Sequence, residues 1–283
     1  MILDGSSLSK KKKADYAPRA ESLSSRLGRK PALHVVLVGG DPASQVYVGH
    51  KEKLCKAVGV KSEIHRLEES TTEEELKSLI LKLNGDPGVD GVLVQLPLPV
   101  SLKSFDPLMF IDPKKDVDGL SPINMGLMIK GKAYAEPCTP KGIITLLKSN
   151  NIQLEGLKAC VVGRSETVGW PMAWMLTREN ATVTVCHSKT KDLLNTLKES
   201  DLVVAAAGRP EFIDAESLKH GAIVVDVGIH RLPNGKLVGD VKNSGLEEKG
   251  IVWSPVPGGV GPMTVSTLVE NLFGLIEIGL SEQ

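Results

Sequence analysis

Tyr47 and Lys51 stand one helical turn apart in YVGHKEKLCKAVGV (residues 47–60). On a helix, residues four apart share a face. The wheel puts Val46, Tyr47, His50, Leu54, Ala57 and Val58 on one stripe, with Lys51 at its border and Lys53 and Lys56 turned to solvent. A lysine at the edge of a buried stripe loses hydration, and that lowers its pKa. A neutral amine can move protons near neutral pH, and a tyrosine hydroxyl one turn away can hydrogen-bond and position it.

Further polar groups lie at strand ends and in stiff loops. Gln95 closes GVLVQ before Leu-Pro-Leu-Pro, and it could polarise an amine without adding charge. Asp116 and Asp118 share the turn DVDGL. No oxygen or nitrogen ligands follow them at cation spacing, so no metal site is expected. PVPGGVGP (255–262), with Pro257, Gly258 and Gly259, is too stiff and small-sided for a generic linker.

ACVVGRSETVGWP (159–171) reads as strand, tight turn and helix start. Gly163 permits the turn, Ser165 stands where a second glycine would, and Gly169 lets helix and strand approach. The helix N-terminus then offers N–H groups and a positive dipole end to a phosphate. Dinucleotide folds selective for NAD carry an acid about 20 residues on, for the ribose 2′-hydroxyl. Here the next strand, TVTVC, runs into His187-Ser188-Lys189, and Arg164 sits in the glycine turn. Cations and hydroxyls without a carboxylate suit a 2′-phosphate, so the expectation is NADP over NAD.

The elements that must position these residues alternate. Strands are expected at 34–39, 62–67, 91–96, 159–163, 182–186, 202–206 and 222–227, and helices near 43–58, 72–84, 168–177 and 190–199. Asp41, Pro42 and Gly59 mark the ends of the first of these helices. Such alternation means parallel sheets with helices on both faces. Tyr47 and Lys51 then sit in the first turns after a strand, near the carboxyl end of the sheet, where open α/β sheets bind ligands. The rhythm breaks over about 97–140, a Pro-, Gly- and Asp-rich stretch. The expected organisation is an N-terminal α/β domain over 1–120, a Rossmann-like domain over 141–263, and a final helix (264–283) that packs back on the first.

The chain has 283 residues, 41% hydrophobic and 4% aromatic, with zero formal net charge. Few aromatics and one short basic run (Lys10–Lys13), read as a solvated N-terminal helix face, argue against nucleic acid as a partner. No run approaches the ~18 apolar residues of a membrane span, and the N-terminus lacks the charge order of a secretory signal. Cys55, Cys138, Cys160 and Cys186 are far apart and suit reduced buried thiols, so a cytoplasmic protein is expected.

YVGHKEK, VQLPLP, DVDGL, PCTPKG, VVGRSETVG and PGGVGPMT, in this order, resemble the bifunctional methylenetetrahydrofolate dehydrogenase/methenyltetrahydrofolate cyclohydrolase family, from about residue 34 to the C-terminus. The resemblance implies a homodimer of two-domain α/β subunits, the domains flanking a folate cleft, the second binding NADP. It implies oxidation of 5,10-methylenetetrahydrofolate and hydrolysis to 10-formyltetrahydrofolate, in the one-carbon metabolism that feeds purine biosynthesis. Lys51 matches the catalytic lysine, Tyr47 the tyrosine that stacks on folate and holds that lysine, and Gln95 the glutamine that pairs with the lysine. Asp118 matches the aspartate on the pterin-like ring, and Pro257, Gly258 and Gly259 border the same cleft. Gly163 opens the cofactor turn; Arg164, Ser165 and Ser188 match phosphate contacts; Thr139 and Ile229 fall near the nicotinamide. Glu166, Thr167 and Trp170 depart from the usual pattern of the cofactor turn. Alternatives are a shikimate-dehydrogenase-like enzyme, a monofunctional family member and a folate-binding protein that has lost catalysis.

Overall fold

The structure is a computed structural model, and it describes residues 1–282. The chain divides into two compact units. A lysine-bearing unit comprises Lys11–Cys138 and Val265–Gln283, and a glycine-turn unit comprises Met1–Lys10 and Thr139–Thr264.

The chain runs α1 (Gly5–Leu27), β1 (Ala32–Val38), α2 (Pro42–Ala57), β2 (Lys61–Leu67), α3 (Glu73–Gly85), β3 (Gly91–Val94), α4 (Pro122–Ile129) and α5 (Cys138–Ser149). Then follow β4 (Lys158–Val162), α6 (Gly169–Arg178), β5 (Thr182–Cys186), α7 (Leu193–Glu199), β6 (Leu202–Ala205) and β7 (Ile223–Asp226). The short β8 (His230–Arg231), β9 (Leu237–Val238) and β10 (Val252–Trp253) precede α8 (Val260–Ser281).

In the lysine-bearing unit, β2, β1 and β3 form a parallel sheet in that order. β1 is buried along its whole length because both its faces are covered. Leu33, Val35 and Leu37 join Tyr16, Ala20 and Leu23 of α1, Val48 and Cys55 of α2, and Leu272 and Phe273 of α8. Val36 and Val38, with Val92 and Val94 of β3, meet Leu76, Ile80 and Leu83 of α3. Asp41 caps α2, its carboxylate accepting from the Ser44 N–H at 2.7 Å, and a Thr72–Glu75 capping box opens α3.

Two expectations change here. α8 is long and apolar enough to cross a membrane, contrary to the reading of the bare sequence, which was broken up by Ser, Thr, Asn and Glu. Its apolar face is spent on the core, where Leu268, Val269, Leu272, Phe273, Leu275 and Ile276 are buried. Burial of a side chain such as Phe273 contributes about 1.5–3 kcal/mol. Within the basic run, Lys12 is not simply solvated, since it pairs with Glu270 of α8.

In the glycine-turn unit a parallel sheet has the order β10-β7-β6-β4-β5. The chain leaves β4 to one side for β5 and returns to the other for β6, so the carboxyl ends of β4 and β6 flank a topological switch point. The first ten residues, expected with the N-terminal domain, belong to this unit instead. Main-chain bonds hold them: Leu3 N–H to Trp253 O (2.8 Å), Trp253 N–H to Met1 O (3.2 Å) and Ser6 N–H to Gly258 O (2.8 Å). The division falls inside three helices, α1, α5 and α8, rather than only in the Pro- and Gly-rich stretch.

Candidate active site

The buried face of α2 consists of Ser44, Val48, Lys51 and Cys55. The wheel put this face one position off. Val46 is 50% exposed, and His50 and Ala57 also face solvent, whereas the short Ser44 and Cys55 pack inward. Lys51 therefore lies in the middle of the buried stripe, only 7% exposed. Its Nζ donates to Gln95 Oε1 at 2.9 Å. Gln95 is itself fixed: its N–H donates to Val36 O (2.9 Å) and its Nε2 to Leu96 O (2.7 Å), which leaves the carbonyl oxygen for the lysine. Burial lowers the Lys51 pKa from the ordinary 10.5, with the negative charge of Asp118 pulling the other way. Tyr47 is half-buried, and burial raises the pKa of its phenol. Among the described residues the hydrogen-bond partner of Lys51 is Gln95, not Tyr47.

The two aspartates of DVDGL have separate tasks. Asp116 is fully buried and builds the turn, accepting from Gly119 N (3.0 Å), Ser121 N (2.7 Å) and Asn124 Nδ2 (3.0 Å). Asp118 is half-buried, and burial raises its pKa; the charge of Lys51 opposes this and that of Asp116 adds to it. Gly119 makes the bend possible, with φ +71° and Glu136 C only 2.4 Å from where a Cβ would stand. Asn271 of α8 secures the loop, its Nδ2 donating to Val117 O (2.9 Å) and Glu136 O (2.8 Å). Sequence reading missed Asn271. Its one signal is an amide within a helix stripe that is otherwise apolar.

In the other unit, Gly163 ends β4 with φ +136°, and a Cβ there would lie 2.1 Å from Ala206 O. Gly169 opens α6, and a Cβ there would come within 2.4 Å of Gly163 O. Both positions require a bare backbone, the condition for a phosphate to approach the turn. Ser165 Oγ accepts from Val168 N (3.2 Å) and Gly169 N (3.3 Å), so the chain caps two of these N–H groups itself. Arg164, Ser188 and Lys189 are exposed, and no carboxylate stands in the residues that directly follow β5. The donor set therefore fits an anionic nucleotide with an extra phosphate.

Thr139 Oγ1 lies 3.0 Å from Thr264 Oγ1, and Ile229 is 44% exposed. Two buried carboxylates hold the loops around Ile229. Asp240 accepts from Ala207 N (2.6 Å), Gly208 N (2.9 Å) and Arg209 N (3.0 Å), and Asp226 accepts from Gly228 N (3.0 Å) and Val241 N (2.9 Å). Burial pushes the Asp226 carboxyl up to about 6. Pro257, Gly258 and Gly259 lie in this unit, directly before α8, with Gly258 at φ +112°. Thus one unit assembles Lys51, Gln95 and Asp118, and the other carries the glycine turn and the Pro257–Gly259 loop.

Two family models match the chain: the tetrahydrofolate dehydrogenase/cyclohydrolase catalytic domain over residues 3–118, and the NAD(P)-binding domain of the same family over 137–278. The "Bifunctional protein FolD" of Agathobacter rectalis is 49% identical over 270 residues, covering 95% of this chain and 96% of its own. The crystal structure of FolD from Campylobacter jejuni superposes with a TM-score of 0.93 at 45% identity, covering 99% of each chain. Trypanosoma brucei FolD, solved with NADP cofactor and inhibitor, gives a TM-score of 0.91 at 33% identity, over 99% of this chain and 98% of its own. With both domain models matched in order and relatives nearly half identical over almost the full length, the chain belongs to the tetrahydrofolate dehydrogenase/cyclohydrolase family.

Proposed function

We propose that this protein oxidises 5,10-methylenetetrahydrofolate to the 5,10-methenyl compound with NADP, then hydrolyses that compound to 10-formyltetrahydrofolate. The observation that carries the reading is Lys51, an amine shielded from water and bonded to a neutral amide rather than locked in an ion pair.

Hydrolysis needs a base near neutral pH. Water adds to the methenyl carbon while the Lys51 amine takes a proton from it. The carbinolamine then collapses: the bond from carbon to N5 breaks, the hydroxyl proton passes to N5, and a formyl group remains on N10. A positively charged substrate beside Lys51 further favours the neutral amine. Gln95 aims the amine, and its amide cannot titrate. Tyr47 offers a protonated, half-buried ring for stacking on the folate. Asp118 binds the pterin-like ring, and its raised pKa favours sharing of a proton with ring nitrogens. Pro257, Gly258 and Gly259 form a small-sided loop suited to folate contact.

When bound, NADP accepts the hydride of the first step, which depends on positioning more than on a strong base. Gly163 and Ser165 receive the diphosphate, Arg164 and Ser188 the 2′-phosphate, and Thr139 and Ile229 lie toward the nicotinamide end. The reading includes a homodimer, as the family resemblance implies. Four buried cysteines, none in a disulfide, suit the cytoplasm.

The test is a spectroscopic assay with 5,10-methylenetetrahydrofolate and either NADP or NAD. NADPH should form, and the methenyl product should decay faster than it does without enzyme. Turnover with NAD alone would refute the roles of Arg164 and Ser188. Folate binding without turnover would refute the enzymatic reading.

A further inference from the structure

His34 of β1 and Glu63 and His65 of β2 point to the same side of the sheet. His34 pairs with Glu63 in the parallel register and Val36 with His65, so the three side chains alternate onto one face. His34 Nδ1 and His65 Nε2 face each other at 2.9 Å, with rings 25° from coplanar. Glu63 reaches both: its Oε2 is 3.9 Å from His34 Nε2 and its Oε1 is 3.9 Å from His65 Nε2. One ligand atom from each residue lies within 4.8 Å of the other two.

We propose that His34, Glu63 and His65 form a site for a first-row divalent cation of the zinc type, at the β2 edge of the sheet and outside the folate chemistry. Two imidazoles and one carboxylate are a donor set that such ions take, with water filling the fourth position. Bonds of about 2.0–2.1 Å in a tetrahedron put ligand atoms roughly 3.3 Å apart. His65 Nε2 lies 2.9 Å from His34 Nδ1 and 3.9 Å from Glu63 Oε1, spacings that bracket that value, so the cation enters by a small movement of the exposed Glu63 carboxylate toward the two facing nitrogens.

The surroundings favour the neutral donors that a metal requires. His34 is 7% exposed, and burial lowers its pKa, with Glu63 opposing and the charges of His65 and Lys61 reinforcing the shift. The hydrogen bond between the rings needs one N–H and one lone pair. On metal binding that proton moves to the other nitrogen of its ring, so both facing nitrogens become donors and no redox change is involved. The competing charge is Lys61, whose Nζ is 3.3 Å from Glu63 Oε2, and Asp86 adds a negative field at His34. The Lys61–Glu63 pair is exposed, so its release costs little.

The experiment uses the untagged full chain, stripped with a chelator and titrated with Zn²⁺ by calorimetry, and with Co²⁺ as an optical probe at neutral pH. The expectation is one equivalent per chain, visible Co²⁺ bands of a tetrahedral nitrogen–oxygen site, and weakening as pH falls and the imidazoles protonate. His65→Gln and Glu63→Gln alter positions on the exposed edge strand, so both should fold, as checked by circular dichroism. Each should lose more than about tenfold in affinity. Absence of saturable binding, affinities within about twofold of the parent in both variants, or a thiolate-to-cobalt absorption band would each overturn the site.

Discussion

Lys51 and Arg164 are both cations on the sequence's short list of chemical groups, but the fold treats them oppositely. Lys51 is buried in the middle of a helix face, with one neutral partner. Arg164 is exposed in a glycine turn. The difference follows from the tasks proposed for them. A base must be stripped of water to be neutral near pH 7, whereas a phosphate ligand must keep its full charge and stay accessible. The supports differ too. Side chains orient Lys51, while bare backbone at Gly163 and Gly169 shapes the turn around Arg164.

The largest effect should come from the dry side of this comparison. Lys51→Met should reduce methenyl hydrolysis by more than about 10²-fold with the fold intact. Loss of the methenyl absorbance is the measurement, and a parental rate would show that the buried amine is not the base. The same amine predicts a pH dependence. Its folded pKa is lowered from 10.5, and the neutral form is the working one. Hydrolysis should therefore rise with pH and level off below 10.5, following the base form. The unfolded chain keeps the Lys51 proton up to that value while the folded chain gives it up earlier. The contribution of this group to stability thus grows with pH across that window, and Lys51→Met should flatten the slope in urea melts.

Next in size is the clip behind the Asp118 loop. Asn271→Ala leaves the carbonyls of Val117 and Glu136 without this donor and should cost about 1–3 kcal/mol in urea unfolding. A loss under about 0.5 kcal/mol would mean that water replaces the amide readily. Asp118→Asn should weaken folate binding about tenfold, or 1.4 kcal/mol, with little change in melting; unchanged affinity in a fluorescence titration would remove Asp118 from the substrate site. The smallest effect belongs to the wet side. Arg164→Ala should raise the KM for NADP roughly three- to tenfold, less at high salt, with that for NAD barely moved. Equal changes for both nucleotides would erase the contrast between the two cations.

Much of this was legible in the sequence. The strand–helix alternation, the ends of α2 at Asp41 and Gly59, and the glycine turn at 163–169 follow from local rules: period, capping and permitted φ. The lysine was visible as unusual, but its depth was not. Hydropathy favoured Val46 over Ser44, but the packed helix turns the neighbouring stripe of Ser44, Val48, Lys51 and Cys55 inward. Asn271 was hidden because it lies 154 residues from Val117 in the chain, and a lone amide in an apolar helix advertises no partner.

The sequence by itself determined which segments become strands and helices, where the backbone must be glycine, and which residue types could serve as base, amide and phosphate ligand. These depend on neighbours within a few positions. Only the tertiary structure decided that Lys51 is dry, that Asp116 builds the turn, and that His34 meets His65 across two strands. It also decided that the first ten residues join the second unit. Desolvation and pairing between distant segments arise when elements pack, and no local pattern encodes which faces will meet.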